Sequence, residues 1–301
     1  MNFRQIEAYV KVIELASFSK AAEAIYLSQP SVSAYINALE KELGTTLINR
    51  TTKDIVPTLA GKLFYKKARE LLLLKSNTVE QMKHLLGNYN GEINILASSV
   101  PAQYILPEIL ARFNCIYPDI KFNVKSADTF VASRGVADGQ AEIGFTGGIA
   151  EDGKCEYYEF MTEEMVFIAP YGKNFSENAV YSLDKLLYDH RYIAREQGSG
   201  TRTWYENFFM KQEVDIYRIN VSVSFDNTQS IINAVTHGLG VAVVSAVAAN
   251  DAINRNLVIP IKLIENLPER KIYYVRKKNI SHSHLADVFL EFLQKEYVSI
   301  K

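Results

Sequence analysis

The chain has 301 residues, 48% of them hydrophobic and 22% charged, with 15 Gly and 8 Pro; the length suits two or three domains, and the composition excludes wholesale disorder. The formal net charge of −1 conceals an asymmetry, since residues 1–90 hold 12 Lys+Arg against 8 Asp+Glu (+4) and residues 91–301 hold 21 against 26 (−5). A basic segment ahead of an acidic body suits a polyanion-binding module on a different kind of domain.

The N-terminus MNFRQIEAYV carries an acid early and lacks the apolar stretch of a signal peptide, and no apolar run approaches the ~18 residues of a membrane span. Cys115 and Cys155 fit neither a metal-ligand spacing nor a disulfide framework. The expectation is a cytoplasmic protein with no membrane partner, no cofactor and no metal.

Phe3, Ile6, Val10, Ile13 and Ala16 recur at helical spacing, which predicts an amphipathic helix over 2–16. Ser17-Phe18-Ser19 breaks it, with Ser19 placed as the N-cap of a short helix holding Ala21, Ala22 and Ile25. Ser28 is then suited to cap a third helix, with Pro30 in its first turn, Val32, Ile36, Leu39 and Leu43 on its buried face and Gly44 at its end. The opposite face carries Gln29, Ser31, Ser33, Ala34, Tyr35 and Asn37. These are short or neutral hydrogen-bonding groups that can reach base edges and phosphates in a major groove, although a solvated face of a structural helix-turn-helix would read the same way.

The segment TTLINRTTKDIVPTLAG reads as two short strands, Leu47–Asn49 and Ile55–Pro57, joined through Arg50, Thr51, Thr52 and Lys53. Three helices followed by a basic ribbon make a winged helix-turn-helix, with Arg50 and Lys53 suited to phosphates. Thr58 caps a further helix that runs without Pro or Gly from about Leu63 to Leu86, with Leu63, Leu71, Leu74, Met82 and Leu85 along it. A polar-rich helix of about 30 residues spans ~45 Å and suits pairing with a copy of itself.

With FSKAAEAIYLSQPSVSAYINALEKELGTTLINR and VPTLAG on view, residues 1–66 resemble the DNA-binding end of LysR-type transcriptional regulators. The resemblance implies homodimers or homotetramers on imperfect operator palindromes in double-stranded DNA, and RNA polymerase as a partner at the promoter. It puts Gln29, Ser31, Ser33, Ala34 and Asn37 toward DNA, and Ser19, Pro30, Tyr35, Arg50, Thr51 and Lys53 complete the expected DNA-binding set.

Beyond a Gly- and Asn-rich break at 87–95, strand and helix patterns alternate. Strands are expected at 92–98, 120–126, 142–147, 165–170, 191–195, 221–225 and 240–245, and helices at 102–114, 129–138, from about 201 and at 228–237. This predicts βαβ units, largely parallel sheets and a ligand at the strand C-termini. Three strand ends look alike: Ser98-Ser99-Val100-Pro101, Thr146-Gly147-Gly148 and Gln197-Gly198-Ser199-Gly200-Thr201-Arg202. If two subdomains face each other, hydroxyls and backbone N–H groups surround one small anion, with Arg202 or Arg195 adding charge.

Asn227 and Thr228 cap the helix after VSVSF and are candidate lining residues. Gly-Ser-Gly as a plain turn and Ser98-Ser99 as a plain cap are the bland alternatives. His282 and His284 lie near a final helix, capped by Ser281 or Ser283, without ligand partners in sequence and read as surface residues.

Residues 91–301 resemble the effector domain of the same regulators, two α/β subdomains similar to periplasmic binding proteins. The fold class is therefore α/β: a winged helix-turn-helix over 1–60, a linker helix over 61–90 and an effector domain over 91–301. Within that domain, subdomain I is about 91–162 with 267–301 and subdomain II about 163–266. The Glu196-x-Gly198-Ser199-Gly200-Thr201-Arg202 loop resembles regulators of cysteine biosynthesis that sense sulfur oxyanions such as sulfite or sulfate. It also resembles regulators of carbon fixation that sense phosphorylated sugars, so a phosphorylated or carboxylate metabolite stays open as the effector.

The loop lacks the Lys of a phosphate-cleaving P-loop, and no nucleophile elbow or metal-binding helix motif occurs. A small-anion enzyme is the more distant alternative to a non-enzymatic regulator.

Overall fold

The computed structural model describes residues 1–51, 54–85, 89–150, 153–172, 175–176, 179–278 and 283–298, and the chain divides into two compact units, residues 1–88 with 280–284 and residues 89–279 with 285–301. In the first unit, α1 (Phe3–Leu15) starts under a capping box in which Asn2 and Gln5 accept each other's backbone N–H. It buries Ile6, Ala8, Tyr9, Val10 and Val12, a wider stripe than the expected one, while Phe3 is exposed and Ala16 ends the helix in the left-handed region. Helix α2 (Phe18–Ala24) is capped by Ser17, whose Oγ accepts from the Lys20 N–H at 3.2 Å. The expected Ser19 cap is therefore corrected, because Ser19 already sits inside the helix.

Helix α3 (Gln29–Leu43) has the expected Ser28 cap, Pro30 in its first turn and Gly44 at its end with φ +66°. Val32, Ile36 and Leu39 are buried, but Leu43, in the last turn, is 40% exposed rather than core. Strands β1 (Ile48–Thr51) and β2 (Asp54–Pro57) pair antiparallel with Ile48 opposite Pro57. Helix α4 (Leu59–Leu85) begins directly after the expected Thr58 cap and is about 40 Å long.

The start of α4 is built around one close approach. Thr58 Oγ1 accepts from the Gly61 N–H at 2.9 Å and donates to the Thr46 carbonyl at 2.7 Å, while the buried Tyr9 hydroxyl donates to the Gly61 carbonyl at 2.9 Å. A β-carbon on Gly61 would lie 2.0 Å from the Leu47 carbonyl oxygen and 2.8 Å from Tyr9 Oη. On α3, Glu40 Oε1 accepts from the Leu47 and Ile48 N–H groups at 2.8 and 3.2 Å. The glutamate of the LEKELG stretch thereby fixes the first wing strand to the helix before it.

The second unit holds β3 (Gly91–Ser98), a π-helical turn (Pro101–Ile105), α5 (Leu106–Ile116), β4 (Ile120–Ala127), α6 (Thr129–Ala137), β5 (Ile143–Thr146) and β6 (Cys155–Glu163). It continues through β7 (Met165–Pro170), β8 (Val180–Tyr181), α7 (Leu183–Asp189), β9 (Tyr192–Arg195), α8 (Gly200–Lys211), β10 (Val221–Phe225) and α9 (Thr228–Thr236). Strand β11 (Ala242–Ser245), α10 (Ala246–Asn254), β12 (Val258–Leu263), β13 (Arg270–Lys277) and α11 (His284–Leu293) complete it. A five-stranded sheet has the order β4-β3-β5-β13-β6 and a four-stranded sheet the order β11-β7-β12-β8, while β9 and β10 form a parallel pair.

The expectation of largely parallel sheets is corrected. β3 is parallel to β4 and β5, but β13 is antiparallel to β5 and β6, and β7 is antiparallel to β11 and β12. The chain leaves the first sheet through β6, enters the second at β7, and returns through β13, so these crossing strands run against their neighbours. Their polar-interrupted patterns hid β6, β12 and β13 from a reading based on strand–helix alternation.

Each sheet has its own core. Phe113 of α5 packs edge-on against Phe122, Phe289 and Phe292 under the first sheet. Phe167, Tyr192, Tyr205 and Phe209 gather beside the second.

Gly61→Ala forces that close approach apart. We expect it to destabilise the first unit by about 1–3 kcal/mol while the unfolding transition followed by Trp204 fluorescence stays in place. Trp204, the single tryptophan, lies on α8 in the second unit, so calorimetry beside fluorescence separates the two transitions.

Candidate functional site

A crevice of about 210 Å³, its solvent-open mouth included, lies at the C-terminal strand ends of the second unit. Its lining combines Ser98, Ser99 and Val100 after β3, Asp128 and Thr129 at the start of α6, Gly147 after β5, and Arg195, Ser199, Gly200 and Thr201 around the start of α8. Arg270, at the start of β13, completes it. Three helix starts converge here, each with orphan N–H groups and the positive end of a helix dipole.

The two walls meet on glycine. A β-carbon on Gly200 would lie 2.8 Å from the Gly147 carbonyl oxygen and 2.7 Å from Thr129 Oγ1, so only glycine brings them this close.

Two arginines, each 3% exposed, charge the crevice. Arg195 pairs with Glu196 through Nε and Nη2 at 2.8 Å, donates from Nη2 to Ser99 Oγ at 3.1 Å and from Nη1 to Thr228 Oγ1 at 3.3 Å. Arg270 donates to Glu163 through Nε at 2.6 Å and also through Nη2, and to Thr201 Oγ1 through Nη1. Burial lowers the Arg270 guanidinium from its usual value, and the Glu163 carboxylate opposes that shift; an arginine remains charged regardless. Three of its five N–H groups are used by described residues.

The hydroxyls share one state. Ser98 Oγ accepts from the Gly147 N–H at 3.2 Å, Ser99 Oγ from Arg195, Thr129 Oγ1 from the Gly200 N–H at 3.2 Å and Thr201 Oγ1 from Arg270. Ser199 starts α8 without a side-chain cap bond and is 2% exposed. Each of the first four oxygens is occupied by an N–H donor, and none of the five donates to a described residue, so five buried O–H groups remain to be donated into the crevice.

Of the residues expected at this site, Ser98, Ser99, Val100, Gly147, Ser199, Gly200 and Thr201 line it together. Gly198, at φ +89°, sits beside Asp128 at the edge. Thr146 is buried but donates to the Gly148 carbonyl at 2.8 Å, outside the lining. Arg202 turns away, bonded to Glu206 at 2.7 Å and to the Arg195 carbonyl at 3.1 Å, so of the two arginines expected to add charge only Arg195 lines the crevice, and Arg270 joins it. Asn227 caps α9 through the Ser230 N–H, and Thr228 supports Arg195 from behind.

Sequence reasoning missed Arg270, Glu163, Asp128 and Thr129. The last two follow the strand ending at Ala127, so the strand-end rule applied there would have found them. Arg270 and Glu163 meet across 107 positions, which no local pattern reveals. Among the described residues no group of three His, Cys, Asp or Glu could hold a metal, and no helix is long and apolar enough to cross a membrane.

In the first unit Gln29, Pro30, Ala34 and Asn37 are exposed along α3, with Ser33 half-buried beside them. Ser31 is engaged with Ser28 Oγ at 2.8 Å, and Tyr35 packs partly against the core, so neither is a free surface group. Ser19 is exposed on α2. Arg50 and Thr51 stand on β1 with side chains that are not described. Lys53, Thr52, Leu86, Gly87, Asn88, Ser281 and His282 lie outside the described residues.

A winged helix-turn-helix unit and an α/β unit with a polar crevice at its strand ends define a DNA-binding regulator with an effector domain. Residues 3–62 match the bacterial regulatory helix-turn-helix protein, lysR family, and residues 87–297 match the LysR substrate binding domain. The chain belongs to the LysR family of transcriptional regulators, which are not enzymes. It is 30% identical over 301 residues to the HTH-type transcriptional regulator CysL of Bacillus subtilis (strain 168), covering 99% of both chains, in keeping with the resemblance to the cysteine-biosynthesis branch. Its fold is that of full-length CbnR complexed with its target DNA (19% identity, TM-score 0.66, 98% and 99% coverage). It is also that of a full-length OxyR variant from Pseudomonas aeruginosa (16%, TM-score 0.73, 98% and 95%).

Glu163→Ala leaves the buried Arg270 charge without its counter-ion. We expect a loss of about 3–5 kcal/mol, read as an earlier transition in urea by Trp204 fluorescence, whereas Glu206→Ala, at a half-exposed ion pair with Arg202, shifts the midpoint little.

Proposed function

We propose that this regulator adjusts its operator binding to a small anion held in the crevice, with a sulfur oxyanion such as sulfite or sulfate as the first choice. The observation that carries the reading is the set of five buried hydroxyls that donate to no described residue, set among helix starts and beside a buried guanidinium. Donors on several sides in so small a space suit a compact oxyanion more than a sugar phosphate. The identity to CysL along the whole chain supports the sulfur branch.

In this reading residues 1–60 bind the operator in the cytoplasm, 61–90 pair with a second copy in a homodimer or homotetramer, and 91–301 hold the effector, divided as 91–162 with 267–301 and 163–266. Ser19, Gln29, Pro30, Ser31, Ser33, Ala34, Tyr35, Asn37, Arg50, Thr51 and Lys53 form the DNA side, and RNA polymerase is the partner at the promoter. The exposed Leu63, Leu74 and Met82 of α4 support its pairing role. An anion that binds one closure of the crevice more tightly shifts the population of that state, and the spacing of the winged helices with it.

A thermal-shift series with sulfite, sulfate, phosphate and phosphorylated sugars tests the effector. At 100 times its Kd a ligand adds about 2.7 kcal/mol, and a larger shift with a sugar phosphate than with any sulfur oxyanion overturns the first choice. Ser199→Ala with Thr201→Val should abolish that shift and leave operator affinity intact, measured by fluorescence anisotropy. Arg50→Ala should weaken operator binding and lower the slope of log affinity against log salt by about 0.9; an unchanged slope removes Arg50 from the phosphate contacts.

A further inference from the structure

Resting on the anion reading above, we propose that Asp128 makes the crevice select an oxyanion that carries an acidic proton, such as hydrogensulfite in its O–H form or hydrogenphosphate, over one that carries none, such as sulfate. Asp128 lines the crevice beside Thr129. Its Oδ1 accepts from the Val131 N–H at 2.7 Å and so caps α6, while no described residue donates to Oδ2. The carboxyl group lies against the anion loop, since a β-carbon on Gly198 would be 3.3 Å from its Cγ.

The rest of the polar lining donates: five hydroxyls, Arg195 from β9 and Arg270 from β13, the arginines backed by Glu196 and Glu163. Asp128 is the one carboxylate among the lining residues, and a carboxylate only accepts. Sulfate near neutral pH also only accepts, so an oxygen turned toward Asp128 meets like charge with no hydrogen between them. A proton on that oxygen converts the clash into a charge-assisted hydrogen bond. Selection of this kind comes from an element that repels the wrong ligand as much as from those that hold the right one.

No His, Cys, Lys or Tyr is among the lining residues. A change in affinity near neutral pH therefore follows the proton on the anion.

Calorimetric titration of the full chain with sodium sulfite under anaerobic conditions, with inorganic phosphate and with sodium sulfate tests this. Wild type is expected to bind sulfite or phosphate tighter than sulfate by on the order of tenfold or more. Its sulfite affinity should fall as pH rises through the range in which hydrogensulfite loses its proton. Asp128→Asn keeps an Oδ1 for the α6 cap and offers a donor in place of the second acceptor, so its preference should vanish or invert in favour of sulfate and its sulfite affinity should flatten with pH.

Equal or tighter binding of sulfate by wild type, or an Asp128→Asn variant with an unaltered ratio, overturns the proposal while leaving an anion site. Absence of binding by all three anions overturns the anion reading itself, and this selectivity with it.

Discussion

The buried ion pair between Arg270 and Glu163 is the constraint on which the second unit turns. The two residues are register neighbours at the ends of β13 and β6, where the chain enters and leaves the first sheet. Glu163 also accepts from Ser245 at the start of α10, and Arg270 reaches Thr201 at the start of α8. One point thus ties together both crossing strands and two helix starts. Desolvating two full charges is costly, and the surrounding hydrogen bonds are what make the arrangement tenable. Removing either partner strands the other, so Glu163 and Arg270 act as one unit in setting how the walls of the crevice stand.

That pairing also bears on the charge the crevice presents, because each of its arginines has a carboxylate partner. Neither Glu163 nor Glu196 is among the lining residues, whereas both arginines are. The guanidinium of Arg270 keeps N–H groups beyond those it uses, and the helix starts add their partial charges on the same side. The glycine contact between Gly147 and Gly200 sets the scale of the opening: with any side chain at position 200 the walls would stand apart and the hydroxyls could not converge on one small group.

Much of this was legible in the sequence wherever the signal is local. Caps at Ser28 and Thr58, the glycine stop at Gly44 and the strand-end loops at 98–100 and 198–201 follow from residue types within a few positions of one another. Ser17 in place of Ser19 is a two-residue ambiguity between two hydroxyls that flank the same phenylalanine. The failures are of another kind. Arg202 stands beside Arg195 as a candidate because it follows the Gly-Ser-Gly turn, but one residue along a helix is about 100° of rotation, and that carries it to the face where Glu206 lies. The direction of β13 and its arginine depend on pairing with β6 far back in the chain, and only the assembled sheet discloses that.

The same hydrogen-bond accounting separates sensing from catalysis. A serine becomes a nucleophile when a base takes its proton. Here Ser98, Ser99, Thr129 and Thr201 have their oxygens engaged by N–H donors, which lowers the electron density available for attack. No histidine or lysine is among the lining residues to take the proton. Asp128 Oδ1 is taken by the α6 cap, its Oδ2 is the acceptor proposed above for a proton on the anion itself, and the arginines hold their protons at any physiological pH. In the proposed reading, a ligand among these groups is held by donors that gain nothing from breaking it, so the free energy of binding is available to shift a balance between arrangements of the two walls. For a regulator of a DNA-binding family, that shift is the output the proposed sensing requires.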